Sequence, residues 1–234
     1  MDSDDECSWN LWKKVNNKFD RQQMSGSIDS LLTEIEESWP LFLLHPHINR
    51  EQREYIKDLR YQSTDKTFVV AQIDFSINYT LVRHCEVQQG FFSQHQVTLF
   101  TIHLTIGKEQ RNVAIISDYM ERTTVFAHCA QKVLTQFIKT NFPLIGFDLD
   151  TCWTFTATEH GKGAGNGIGA VLKASARRAT LSKNILMSNA KDFYEFTQKQ
   201  QIETARRSNK DIPGVHAFFL ESDEIEEAKT SNNR

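Results

Sequence analysis

Residues 95–106 read HQVTLFTIHLTI. Val97, Leu99, Thr101, His103 and Thr105 alternate with Phe100, Ile102 and Leu104. A period of two in β-branched and aromatic residues predicts a strand, and both of its faces are fit for burial. Upstream, TFVVAQIDFS (67–76) is nearly apolar on both sides, as an interior strand is, and residues 79–88 offer another strand. Downstream, RNVAIIS (111–117) is a fourth. Then the period lengthens. From Ala127, AHCAQKVLTQFIKTNF sets Val133, Leu134, Phe137 and Ile138 in one helical stripe, and Pro143 stops it. TCWTFTAT (151–158) predicts a fifth strand, and AVLKASARRATL (170–181) and AKDFYEFTQKQQIETARR (190–207) predict helices. IPGVHAFFL (212–220) has no definite state.

Residues 9–62 predict a mostly helical region. Leu31, Leu32 and Ile35 recur at helical spacing behind Asp29, Pro40 and Pro46 interrupt the pattern, and Asn49 opens a second helix through Arg60. Residues 1–8 and 221–234 are polar and acidic and lack aromatics, which predicts disordered tails. This order of elements predicts an α/β fold with a mixed sheet flanked by helices. The core spans 65–185, with a C-terminal helical segment over 186–220.

The chain has 234 residues, 39% of them hydrophobic, with 16 Phe, enough for a core that needs no staples. Its 27 basic and 30 acidic residues give a net charge of −3, which excludes a uniformly basic nucleic-acid coat but not a local patch. No run of 18 apolar residues occurs, and MDSDDECSWN is acidic where a signal peptide is basic. The expectation is an intracellular protein, nuclear or cytoplasmic, without a membrane partner. Cys7, Cys85, Cys129 and Cys152 form no CxxC and read as free thiols.

Five of the ten glycines fall between Gly161 and Gly169, in HGKGAGNGIGAVLK. Glycine lets another group approach the backbone closely. Between a strand and a helix N-terminus such a turn either cradles an anion or seats the helix tightly on the strand. Gly165 to Ala170 fits GxGxxG/A, but the motif comes late in the chain and has no ribose-binding acid about 20 residues on, so no dinucleotide cofactor is expected. From His160 to Lys191 there is no Asp or Glu, while Lys162, Lys173, Arg177, Arg178, Lys183 and, at its end, Lys191 occur. Such a stripe suits phosphates, or is a solvated helix face with acidic partners from elsewhere. Asp74 ends an apolar run. A carboxylate there either caps the strand end or ligates a metal such as Mg²⁺.

DFSINY at 74–79 and ATEHGKGAGNGIGAVLKASARRA at 157–179 resemble transposase-like proteins of animal mobile elements, whose cores are ribonuclease H-like integrase domains. The family pattern is matched at Asp74, Phe75, Asn78 and Tyr79, at Gln96 to Leu99, and at Trp153, Phe155, Ala157, Thr158, His160, Gly161, Lys162, Gly163, Gly167 and Gly169. The resemblance covers about 65–185. It departs in two places. Asn166 stands where the family has an Asp, and the strand with S-D-G expected after Asn141 is missing, so the sheet is expected to be incomplete.

Two-metal phosphoryl transfer needs several converging carboxylates. With Asp74 the one matched acid, the resemblance implies a degenerate DDE/D-type enzyme. Asp74 would be a vestigial catalytic carboxylate and weak metal ligand. Such a protein requires no cofactor, or Mg²⁺ or Mn²⁺ if it is active. DNA is the expected partner, its phosphates held by His160, Lys162, Gly163, Gly165, Gly167, Lys173, Arg177 and Arg178. The alternatives are an active metal-dependent nuclease that rebuilds its site with Glu159, Asp148 or Asp150, and a non-catalytic interaction module or decaying gene product.

Overall fold

The computed structural model describes residues 5–16, 18–65, 68–81, 95–143, 145, 152, 154, 163–182 and 185–232. The chain divides into two compact units, Met1–Tyr55 and Ile56–Arg234.

The first unit opens with a β-hairpin where the sequence predicts helix. Strands β1 (Glu6–Val15) and β2 (Lys18–Ser27) pair antiparallel, with Val15 opposite Lys18. The loop between them is two residues long, and Asn16 takes a left-handed φ of 49°. Asn accepts that conformation, which matches the twist of paired strands. Cys7, Trp9, Leu11 and Lys13 alternate inward, so the local period is two. Lys13 pairs with Glu34 at 3.4 Å.

Helix α1 (Ile28–Gln62) follows directly. Ser27, not Asp29, caps it, its Oγ accepting from the Ser30 N–H at 3.3 Å. The helix runs through Pro40 and Pro46, and Asn49 lies inside it rather than opening a second helix. A proline withholds one N–H and crowds the preceding turn, but its φ is helical, so the helix continues across it at a cost.

The second unit is a four-stranded mixed sheet between helical layers. Its strands are β3 (Val70–Thr80), β4 (Gln96–Ile106), β5 (Glu109–Ser117) and β6 (His216–Leu220), in that spatial order. The first three form an antiparallel meander, and β6 pairs parallel to β5. The α/β class with a mixed sheet therefore holds. Phe100, Ile102, Leu104, Val113 and Ile115 pack beneath α2 (Thr124–Asn141), whose Leu134, Phe137 and Ile138 enter that core. Val97, Leu99, Ala114 and Ile116 face the other way, against α3 (Ala164–Leu181) and α4 (Ala190–Arg207). Both faces of β4 are buried, as its two apolar registers require.

Three further expectations change. Residues 79 and 80 belong to β3, and 82–94 lie outside the described residues, so the separate strand over 79–88 has no counterpart among them. The undecided segment near 216 is strand β6, held because Ala217 and Leu220 are buried against β5. The expected acidic tail is helix α5 (Ser222–Asn232). Its first N–H finds a partner in Asp118, whose carboxylate accepts from Ser222 N at 3.0 Å and from the Ser222 hydroxyl at 3.3 Å. Ile225 is wholly buried in the α2-side core. The expected fifth strand, 151–158, falls almost wholly outside the described residues. No described helix is long and apolar enough to cross a membrane.

Candidate functional site

The two stretches that carry the resemblance meet in space. Asp74 lies opposite Thr101, Phe75 opposite Phe100 and Ser76 opposite Leu99. Asp74 and Ser76 thus point toward α3. Phe75 points the other way, its ring 4.7 Å from Phe100 and 5.2 Å from Phe126. The register then slips between Ser76 and Tyr79. This bulge sets Ile77 and Asn78 against Thr98 alone, and such an extra residue re-aims the side chains after it. Ile77 turns out to solvent, and Tyr79 returns to the α3 and α4 side, 5.1 Å from the Phe193 ring.

The glycine run does not form an open turn throughout. Gly163 is the N-cap of α3, and Gly165, Gly167 and Gly169 are helical. Gly165 and Gly169, one turn apart, face β3. A Cβ at Gly169 would sit 2.3 Å from Ser76 Oγ and 2.9 Å from its Cβ, and one at Gly165 would sit 3.0 Å from Thr101 Oγ1 and 3.4 Å from Asp74 Cβ. The close approach these glycines permit is the strand's, not a phosphate's. Gly167 faces open space.

Around Asp74 the described charged neighbours are cations. Lys173, one turn beyond Gly169, donates to Ser76 Oγ and to Ile77 O, both at 2.8 Å. Arg122, just before α2, donates to Ser76 O and Asn78 Oδ1, both at 3.2 Å, and its guanidinium lies 5.8 Å from the Phe75 ring centre. Arg177 is exposed and acts electrostatically on Tyr79. Burial pushes the Asp74 carboxyl above its ordinary range, outweighing the pull of Arg122, a hydrogen bond from the Phe75 backbone and Lys173. Burial pushes the Lys173 ammonium down, helped by Arg122 and opposed by Asp74. Burial likewise raises the Tyr79 hydroxyl against Arg177.

The other predicted residues divide by position. Asn166 is exposed in the first turn of α3, its N–H bonded to Gly163 O at 3.2 Å. Arg178 is exposed, with its Nε on Ala174 O at 3.3 Å. Lys173 is half-buried on β3, so the basic stripe is partly turned inward. Its far end, Lys191, meets Glu221 at 3.8 Å. His160, Lys162, Lys183, Asp148, Asp150 and Glu159 lie outside the described residues. Among the described residues no group of three or more His, Cys, Asp and Glu is placed to hold a metal ion. His128 is exposed on α2 while Cys129 is buried. Arg122 was not marked by the sequence, because Met120-Glu121-Arg122 belongs to no motif and only the fold carries it to β3.

A model of the family described as "Domain of unknown function (DUF8701)" matches residues 52–146 and 144–234. No curated protein and no solved structure matches the chain. The two matched stretches take in Asp74, Arg122, the α3 glycines and Lys173, and they leave the N-terminal hairpin outside. The chain belongs to the DUF8701 family of domains.

Proposed function

We propose that this chain is a transposase-derived, ribonuclease H-like domain that has lost phosphoryl-transfer chemistry and binds nucleic-acid phosphates. One observation carries the reading. At Asp74, where divalent-ion catalysis needs a convergence of carboxylates, the charged groups beside it are Arg122 and Lys173. Two cations next to the one carboxylate described there repel a divalent ion and attract a phosphate oxygen.

Further support comes from the α3 surface. Its first turn carries no acid, and Gly163 caps it without a side chain, so its N-terminal end remains attractive to anions. Arg177 and Arg178 extend positive charge along the same helix. The family match comes in two stretches that overlap at 144–146, close after Asn141, where the resemblance expects a further strand.

The test is incubation with supercoiled DNA in Mg²⁺ or Mn²⁺. The expected outcome is retarded migration at low salt and no nicking. Metal-dependent nicking that disappears in Asp74→Asn would contradict the proposal and favour a working nuclease.

A further inference from the structure

A second copy of this chain is the occupant we infer for the apolar seam of α1. In the unit Met1–Tyr55, Leu32, Ile35, Trp39, Phe42 and Leu43 are between 43% and 63% exposed. From Leu32 to Phe42 the spacing runs three, four, three, which sets these side chains along one helix face at the positions of a coiled-coil seam. The Trp39 and Phe42 rings stack at 5.5 Å into a ledge. Beside it Ile35, Glu36, Trp39 and Pro40 line a hollow of about 340 Å³, room for an aromatic knob.

The area fits a pair of copies. Five such side chains present on the order of 500 Å² of apolar surface, toward the upper end of the about 300–600 Å² that a monomer's largest and often functional patch reaches. A standard interface takes about 800 Å² from each partner, and the core of a homodimer interface is about 65% apolar.

The charge fits one orientation. Residues 29–37 carry Asp29, Glu34, Glu36 and Glu37 without a Lys or Arg, whereas 45–53 carry His45, His47, Arg50 and Arg53 against Glu51 alone. Glu34 is already engaged with Lys13, but Glu36 and Glu37 are exposed. Antiparallel pairing centred near Leu43 lays Glu36 of each helix beside Arg50 of the other and brings the two Phe42 and Leu43 positions together. Parallel pairing sets like charge on like. The surface is therefore self-complementary, as a two-fold interface must be.

Sedimentation of the full chain tests this. The expected species has twice the 27.1 kDa chain mass. Trp39→Glu with Phe42→Glu, both at exposed positions, should give a monomer with an unchanged circular dichroism spectrum. Glu36→Lys with Glu37→Lys should weaken the dimer, and adding Arg50→Glu with Arg53→Glu to the same chain should restore it. A wild type that stays monomeric at high micromolar concentration overturns the inference. So does a dimer that survives the Trp39 and Phe42 changes, or a charge reversal that is not rescued.

Discussion

One added methyl group has opposite consequences two residues apart on α3. Gly167 faces open space, so Gly167→Ala removes backbone freedom from the unfolded chain without a clash. It should stabilise by roughly 0.5–1 kcal/mol. At Gly169 the same methyl group would lie 2.3 Å from Ser76 Oγ, on a buried side chain that Lys173 also holds. Gly169→Ala should destabilise by roughly 1–3 kcal/mol. Urea midpoints of the two variants read both signs, and equal shifts would contradict the packing. Asp74 gives a second residue-scale prediction. Its carboxyl titrates above the ordinary range because it is partly buried. A raised acid favours the native state fully below its unfolded value, and that contribution is lost as pH rises through the raised value. The charged form is therefore a liability at neutral pH. Asp74→Asn should be more stable than wild type at about pH 7, and the gain should fade toward about pH 3. Urea midpoints at both pH values check it, and a loss at neutral pH would contradict it. The sequence announces that these glycines and Asp74 matter, because five glycines cluster and one carboxylate ends an apolar run. It does not announce what they touch, since contact across 91 positions, from Asp74 to Gly165, depends on the fold.

Elements with a strong period were legible; elements held by distant partners were not. Strands β3, β4 and β5 and helices α2 and α4 follow the alternation or the stripe visible in their own residues. Helix α5 does not. Its acidic residues read as a tail, yet Asp118, more than 100 positions upstream, caps it, and Ile225 with Ala228 anchors it in the core. Asp118→Ala removes acceptors from the Ser222 N–H and hydroxyl. It should cost roughly 1–3 kcal/mol and raise hydrogen exchange across 222–232. Unchanged protection there would show that the cap is dispensable. The N-terminal hairpin had a readable signal, the Val15-Asn16-Asn17-Lys18 loop between alternating residues, but its few apolar positions let the helical spacing farther on dominate. Pro40 and Pro46 misled in the opposite sense, because a proline marks where a helix is weakened rather than where it must end.

At the scale of the molecule, a net charge of −3 conceals a local cationic edge. Arg122 comes from before α2, while Lys173 and Arg177 come from α3, so no short window of sequence displays all three. Lys173 and Arg122 both donate to β3, which leaves Arg177 and Arg178 as exposed cations of α3. Phosphate contacts release counterions, so each one lost should reduce the salt slope of binding by about 0.9. The most direct measurement is the affinity of the full chain for a labelled DNA duplex across a salt series without divalent ions, beside Arg177→Ala with Arg178→Ala. A steep fall of log affinity with log salt in the wild type, and a slope shallower by about 2 in the double variant, is the predicted result. Binding that ignores salt, that needs Mg²⁺, or that keeps its full slope without the two arginines would contradict it.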